Sequence, residues 1–322
     1  MNDSNRHFRF KESIKKYYLN FLDEPEDSHR RKIGDGIYTT YSFGDPNSHK
    51  TVRFILLDVR FEKDSLYLDE NPDMLGSKQW TWLEETLKNA NETFIFIVSG
   101  TQILPISRLA TECWYPLSRK KLFDLIAKYN KNGVVFLSGD IHMAEIMKTF
   151  CTLPEIGYDI YEITSSGLSH YAWFSVFVED LFANDYSVIP FIKTYNFAKI
   201  DFNWGISRNE SAFNVNIIDY DGNTITSLPI NYKDVSYRKV NEIIQPGERT
   251  CLSKLSTRFK TFQEYLKYYS NNPLSSLPLL LFYSILLSFF TLGLYLCWKI
   301  IKFLVRILKI NTKINNEDKK IN

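Results

Sequence analysis

Short apolar runs alternate with amphipathic segments between residues 52 and 138. The runs 52–57, 94–98 and 134–138 are rich in β-branched and aromatic residues, which is typical of buried strands. Between these runs, apolar residues recur at helical spacing, which predicts two helices, one beginning near Ser77 and one over 117–129. Because elements in this order bury their apolar faces in layers, the sequence predicts an α/β fold.

The flanking segments show further periodic patterns. Apolar residues at helical spacing predict a helix over 8–22, and alternating or apolar runs predict strands over 36–43 and 158–164. Short alternating runs over 195–228, with a turn signal at Asp221 and Gly222, are typical of an antiparallel hairpin region.

The composition indicates a folded chain and argues against a nucleic-acid partner. The 322 residues are 44% hydrophobic and 16% aromatic, which excludes a disordered chain. Segment 299–322 contains seven Lys/Arg and two Asp/Glu, so its net charge is +5, whereas the formal net charge of the whole chain is +2. The preceding residues therefore carry −3, too little positive charge for a nucleic-acid binder.

A 20-residue uncharged segment, 279–298, lies near the C-terminus. As a helix it would be about 30 Å long, the thickness of a bilayer core, so we expect a single transmembrane helix. The residues beyond it repeat Lys or Arg at 299, 302, 306 and 309, on one helical face. This pattern fits a basic amphipathic extension on anionic headgroups, and equally the snorkelling end of a tilted span.

The charge bias around the expected span also predicts its orientation. Positive residues favour the cytosolic side, which would leave the preceding body lumenal or extracellular. Residues 1–16 have no apolar signal-peptide core. Two alternatives therefore stay open, a tail-anchored protein with a cytosolic body and a chain whose true N-terminus lies upstream.

The segment 139–142, Gly-Asp-Ile-His, follows the apolar run 134–138. Side chains two residues apart on an extended chain point the same way, so we expect Asp140 and His142 to share one space. A carboxylate and an imidazole suit zinc, iron or manganese, and ligand crevices lie beyond the carboxyl ends of strands. The alternative is a turn aspartate beside a structural histidine.

Two further positions follow apolar runs and could carry chemistry. Asp58 and Arg60 come after 52–57, where an arginine fork could bind phosphate oxygens; the alternative is a local salt bridge with Asp64 or Glu62. His170 follows 158–164 and could act as a ligand or a general acid, or be purely structural.

These segments together resemble the PhoD-like (alkaline phosphatase D type) metallophosphatases, over about residues 8–227. The matching stretches occur in the family's order. They are YLNFLDEP (18–25), GIYTTYSFG (36–44), LDVR (57–60), LGSKQWTWL (75–83), SGTQILP (99–105), SGDIH (138–142), TSSGLSH (164–170) and NFA (196–198).

The resemblance implies a partial αββα metallophosphatase (calcineurin-like) sandwich, followed here by the C-terminal transmembrane helix. It implies hydrolysis of phosphomonoesters or phosphodiesters at a centre of divalent or trivalent metal ions (Fe, Zn, Mn or Ca). Asp140 and His142 match the metal motif. His170 or Arg60 would stabilise the transferring phosphoryl oxygens, and Asp58 and Arg60, which match the Asp-x-Arg segment, would bind substrate or instead maintain the architecture.

The family's other metal motifs, Gly-Asp-x-x-Tyr and Asp-Asp-His-Asp, do not occur in this sequence. We therefore expect the C-terminal part of a longer phosphatase or, alternatively, an inactive membrane-anchored remnant that serves as a binding module. The expected organisation is a PhoD-like domain over 1–235, a connector over 236–272, the transmembrane helix with its basic extension over 273–310, and a disordered polar tail over 311–322.

Overall fold

The computed structural model describes residues 4–45, 47–65, 71–105, 112–149, 156–171, 186–238, 284–285 and 287–302. The chain divides into two compact units, Met1–Phe262 and Gln263–Asn322. Nearly all of the expected connector over 236–272 and the whole polar tail over 311–322 lie outside the described residues.

The described part of the first unit contains four α-helices, ten strands and two short 3₁₀ helices. The helices are α1 (Lys11–Phe21), α2 (His29–Lys32), α3 (Gly76–Asn89) and α4 (Pro116–Lys128), and the 3₁₀ helices are Arg208–Glu210 and Tyr232–Val235. The strands are β1 (Thr39–Gly44), β2 (Thr51–Leu56), β3 (Phe94–Val98), β4 (Val134–Ser138), β5 (Ala144–Lys148), β6 (Tyr161–Ser165), β7 (Ser187–Ile192), β8 (Asn196–Asn203), β9 (Ala212–Asp219) and β10 (Thr224–Asn231).

Seven strands form the main sheet, in the order β1-β2-β3-β4-β6-β5-β7. Neighbours among β2, β3, β4 and β6 pair in parallel, while β1, β5 and β7 pair antiparallel to their neighbours. The parallel strands end in step, since Leu56 pairs with Val98, Val98 with Leu137, and Leu137 with Ile163. The loops that follow these four strands therefore leave the sheet at one place, called here the carboxyl edge.

The second sheet, antiparallel in the order β10-β9-β8, packs on one face of the main sheet. Phe94 and Phe96 of β3 contact Phe213 of β9, with ring centroids 5.0 and 5.5 Å apart. On the opposite face, Phe123 of α4 stacks on Phe136 of β4 at 6.1 Å. Because side chains alternate between the two faces of a strand, these contacts define three layers. The main sheet lies in the middle, with helices on one face and the second sheet on the other.

The predicted mixed α/β core is confirmed, with element ends shifted by a few residues. The expected strand over 158–164 is β6, which begins at Tyr161, and the hairpin region over 195–228 is the second sheet. The sequence did not predict β5 and β7. In β5 the buried Glu145 interrupts the apolar run that would have indicated a strand.

The second unit is described only at residues 284–285 and 287–302, which are helical and exposed. Among the residues that the structure describes, no helix has both the length and the apolar character required to cross a bilayer. Most of the remaining expected transmembrane segment, 273–283 and 303–310, lies outside that part of the chain.

Gly133 offers a test of how tightly β3 and β4 are joined. Its φ is +72°, and an added Cβ would lie 2.0 Å from the carbonyl oxygen of Thr93. Gly222 also has a positive φ, +86°, but an added Cβ there would meet nothing within 4 Å. We expect Gly222→Ala to cost about 1–2 kcal/mol of the free energy of unfolding, and Gly133→Ala to cost clearly more because the backbone must also shift.

Urea unfolding of the two variants and the wild type measures this difference. Equal midpoints for Gly133→Ala and Gly222→Ala would show that the connection before β4 tolerates a side chain.

Candidate active site at the carboxyl edge

Three loops contact one another at the carboxyl edge. A Cβ added to Gly139, after β4, would lie 3.5 Å from the carbonyl oxygen of Gly100, after β3, and 3.7 Å from Oγ of Ser166, after β6. The backbone N–H of Ser166 donates to the carbonyl oxygen of Met143 at 3.1 Å. The loop that carries Asp140 and His142 is therefore held between its two neighbours.

Asp140 and His142 lie in a bend and not on an extended strand. Strand β4 ends at Ser138, and the φ angles of Asp140 and His142 are +76° and +56°. The expectation that strand geometry aligns the two side chains is therefore wrong. Left-handed backbone at a non-glycine residue typically costs about 1–3 kcal/mol and clusters at functional sites, so two such residues in one bend support a functional role.

Arg60 links the loop after β2 to Asp140. Its guanidinium pairs with Glu112, and Nη2 lies 4.0 Å from Oδ1 of Asp140. Glu112 is also bound by Nζ of Lys63 at 2.7 Å. About a third of each side chain of the Arg60–Asp140 pair is exposed, so a solute can reach both groups.

The alternative that Arg60 forms a salt bridge with Glu62 or Asp64 does not hold for the described contacts. Both of those carboxylates are bound by Arg6, and Glu62 is also bound by Lys11 at 2.8 Å. Glu112, the strong partner of Arg60, was not identified from the sequence, because no local pattern connects two residues that are 52 positions apart.

The carboxylate of Asp58 is hydrogen-bonded to the surrounding backbone. Its Oδ1 accepts hydrogen bonds from the backbone N–H groups of Arg60 and Phe61, both at 2.9 Å, and its Oδ2 accepts one from Ile37 at 3.0 Å. The backbone N–H of Asp58 donates to Oε1 of Gln79, and Nε2 of Gln79 donates to the backbone carbonyl oxygen of Asp58, both at 2.8 Å. Asp58 thus shapes the turn that carries Arg60, which favours the architectural alternative.

His170 lies against His142. Their ring centroids are 4.8 Å apart with the planes at 86°, and both residues are exposed. Buried Asn196, at the start of β8, fixes the loop that leads to His170: its N–H donates to Gly167 at 3.1 Å, and its Oδ1 accepts from Ser165 at 3.2 Å. Asn196 was noticed only as part of the motif series, and the structure gives it a positioning role.

A buried polar network lies behind these loops. The Gln102 side chain donates to Thr164 at 2.9 Å and to Glu145 at 3.3 Å, and Ser138 shares a hydrogen bond with Thr164 at 2.8 Å. The carboxylate of Glu162 accepts hydrogen bonds from the backbone N–H groups of residues 103 and 104 at 2.8 and 2.7 Å. Because buried polar groups require partners, this network fixes the loop after β3 against β5 and β6.

The metal-binding capacity of the described residues is limited. No group of three or more His, Cys, Asp or Glu side chains among them could hold a metal ion. A catalytic metal usually takes at least three protein ligands, so Asp140 and His142 by themselves do not complete a centre.

The site lies within a region that matches a known family. The family model described as PhoD-like phosphatase matches residues 13–174, which is 162 of the 322 residues. No curated protein matches the chain.

Solved structures that are similar to the chain include PhoD and GAP50. A structure of PhoD matches over 87% of this chain with a TM-score of 0.50 and 14% sequence identity. GAP50, the anchor in the inner membrane complex of Plasmodium, matches over 67% of this chain and 62% of its own, with 17% identity and a TM-score of 0.40. The match covers 58% of the PhoD chain, and at this identity it shows the fold alone.

The two aspartates of the carboxyl edge should respond differently to the same isosteric change. The Asp58 carboxylate accepts hydrogen bonds from backbone N–H groups, and Asp58→Asn places an amide N–H₂ group, itself a donor, beside them. We expect this change to cost about 1.5–3 kcal/mol of the free energy of unfolding. Asp140→Asn changes an exposed carboxylate that lies 4.0 Å from Arg60, and should change stability by less than about 1 kcal/mol. Urea unfolding of both variants compares them, and similar losses would contradict the separate roles of scaffold and site.

Proposed function

The chain belongs to the PhoD-like phosphatase family, and we propose that it binds and hydrolyses phosphomonoesters or phosphodiesters at the carboxyl edge. The observation that carries the proposal is a pair of contacts at one edge of the sheet: Arg60 lies 4.0 Å from Asp140, and the ring of His142 contacts that of His170, so the loops after β2, β4 and β6 all contribute. All four residues lie within the part of the chain that matches the family.

Arg60 is the group best suited to bind the phosphoryl oxygens. Its planar fork matches two oxygens at once, and a charged donor fixed at a site stabilises the charge of phosphoryl transfer. The guanidinium pairs with Glu112 and lies 4.0 Å from Asp140, and about a third of the Arg60 side chain is exposed, so a phosphate can reach it.

His142 and His170 offer the exposed imidazoles of the site. The edge-to-face contact limits how each ring can turn. An imidazole at this position can donate a hydrogen bond to a phosphoryl oxygen, and it can protonate the oxygen of the departing alcohol as a general acid. We assign His170 to this role, since its exposed ring contacts that of His142 from the neighbouring loop after β6.

The family implies a metal centre of Fe, Zn, Mn or Ca, in which a metal supplies a Lewis acid for the phosphoryl oxygens. The residues that the structure describes do not complete such a centre. We propose that Asp140 and His142 are the ligands that this chain contributes. Carboxylate and imidazole ligands together favour Zn, Fe or Mn over Ca, which prefers oxygen ligands alone.

A second candidate function is a membrane-anchored module that binds phosphoesters without hydrolysing them. The absence of a metal-holding group of three among the described side chains favours it. The binding role of Arg60 is the same in both candidates, so turnover and not affinity separates them.

We also propose that residues 273–310 anchor the protein in a membrane by one C-terminal span. The uncharged segment 279–298 supports this, as do the exposed apolar side chains of its helical part, such as Leu287 and Phe289, which are 63% and 70% exposed. The basic residues that follow would be cytosolic, with the body lumenal or extracellular.

The function is tested with the purified full-length chain and bis(4-nitrophenyl) phosphate, in the presence of added Zn, Fe, Mn or Ca. We expect turnover that depends on the metal and falls at least about 100-fold in His170→Ala, as for the loss of a general acid. His49→Ala, at a histidine outside the site, is the matched control. Unchanged turnover and unchanged bound metal in His142→Ala would refute its assignment as a ligand.

Absence of turnover with every metal, combined with vanadate binding that weakens in Arg60→Gln, would identify the binding module instead.

Membrane anchoring is tested by alkaline carbonate extraction of membranes from cells that express the full chain. The wild type should stay in the membrane fraction, and the double variant Leu287→Lys/Leu292→Lys should be released, because each central lysine costs about 2.5–3.5 kcal/mol of insertion free energy. Leu287→Ala/Leu292→Ala should remain. Release of the wild type would refute the anchor.

A further inference from the structure

A cavity of about 380 Å³ lies between the N-terminal segment and the loop after β2. Its walls are mainly apolar and aromatic, and we call it the α1 cavity. The apolar side chains that line it are Phe8, Ile14, Tyr18, Ile37, Leu57, Val59 and Phe61. A volume of this size falls within the range of small-molecule sites and can take a single or fused ring system.

The α1 cavity shares two residues with the candidate active site. Arg60 and Gly100 line the cavity, and both also belong to the carboxyl edge. The guanidinium of Arg60 lies 4.0 Å from Asp140, and the carbonyl oxygen of Gly100 lies 3.5 Å from the position of an added Cβ on Gly139. A molecule with a phosphate at Arg60 would therefore have its remainder beside this cavity.

The charges around the cavity suit an anionic molecule with an apolar part. Two further cations, Lys11 and Lys15, line it, with their Nζ atoms 4.3 and 5.7 Å from the ring centroid of Phe61. Lys11 is paired with Glu62 at 2.8 Å, whereas Lys15 donates to the neutral carbonyl oxygen of Ile33. The carboxylate that lines it, Asp58, accepts three backbone hydrogen bonds and is thereby partly screened. Partial burial lowers the pKa of Lys15 against the opposing effect of nearby carboxylates, so an added anion would stabilise its charged form.

We propose that the α1 cavity binds the organic group of the phosphoester substrate, and that this group is an aryl or alkyl alcohol. The inference rests on the proposed function and specifies its substrate class. A polyol or a sugar would bury hydroxyl groups against Ile14, Val59 and Phe61, where unpaired hydroxyls are costly. An aromatic or aliphatic group would instead bury apolar area against them.

The test measures the affinity of the full-length chain for 1-naphthyl phosphate, with 1-naphthol, glycerol 3-phosphate and inorganic phosphate as comparison ligands. The wild type should bind 1-naphthyl phosphate at least about tenfold more tightly than each of the others, because only this ligand fills both regions. Titration calorimetry gives each affinity without requiring turnover.

Variants of α1 then locate the organic group. Ile14→Ser and Tyr18→Ser should weaken 1-naphthyl phosphate binding about five- to tenfold and leave inorganic phosphate binding unchanged. Phe21→Ser, on the same helix but outside the cavity lining and 83% exposed, should change neither affinity. Circular dichroism melts of the three variants confirm that each is folded.

The other outcomes separate this inference from the function on which it rests. Unchanged binding of 1-naphthyl phosphate in both cavity variants, or binding of 1-naphthol as tight as that of 1-naphthyl phosphate, would show that the α1 cavity is not the subsite. Neither result would contradict the phosphate site. If Arg60→Gln and His142→Ala leave inorganic phosphate binding unaltered, the phosphate site itself is wrong, and the subsite falls with it.

Discussion

The parallel pairing of β2, β3, β4 and β6 is the constraint on which the rest of this structure depends. The sheet is covered by helices on one face and by the second sheet on the other, so the central strands β3 and β4 are nearly continuous apolar runs. Since the strands also end in step, residues that are more than 100 positions apart, such as Arg60 and His170, emerge at the same edge of the sheet. The chemistry of the site follows from the register of the strands.

The two aspartates at this edge show how the fold divides supporting residues from accessible ones. Asp58 is buried and its carboxylate oxygens accept hydrogen bonds from backbone N–H groups, so it shapes the turn before Arg60. Asp140 is exposed on a left-handed bend, and its Oδ1 lies 4.0 Å from Nη2 of Arg60. Left-handed backbone at non-glycine residues is costly and clusters at functional sites, which supports a role for this bend in the site.

Much of the core could be predicted from the sequence, because strands buried on both faces leave apolar runs and amphipathic helices leave a helical period. Strand β5 was missed since Glu145 is buried in a polar network that no local pattern reveals. Asp140, His142, Arg60 and His170 were identified by their positions after strands, and those roles remain predictions. The pairing of Arg60 with Glu112 and the anchoring of a loop by Asn196 could not be predicted, because each depends on contacts between distant parts of the chain.

The central claim is that the carboxyl edge binds the phosphoryl group of the substrate. A crystal structure of the full chain grown with tungstate, a phosphate-like oxyanion with strong anomalous scattering, tests it most directly. The account predicts one tungsten peak with its oxygens within hydrogen-bonding distance of Arg60 and of at least one of His142 and His170. Tungstate bound only at other surfaces, with the Arg60–Asp140 pair unchanged, would contradict it.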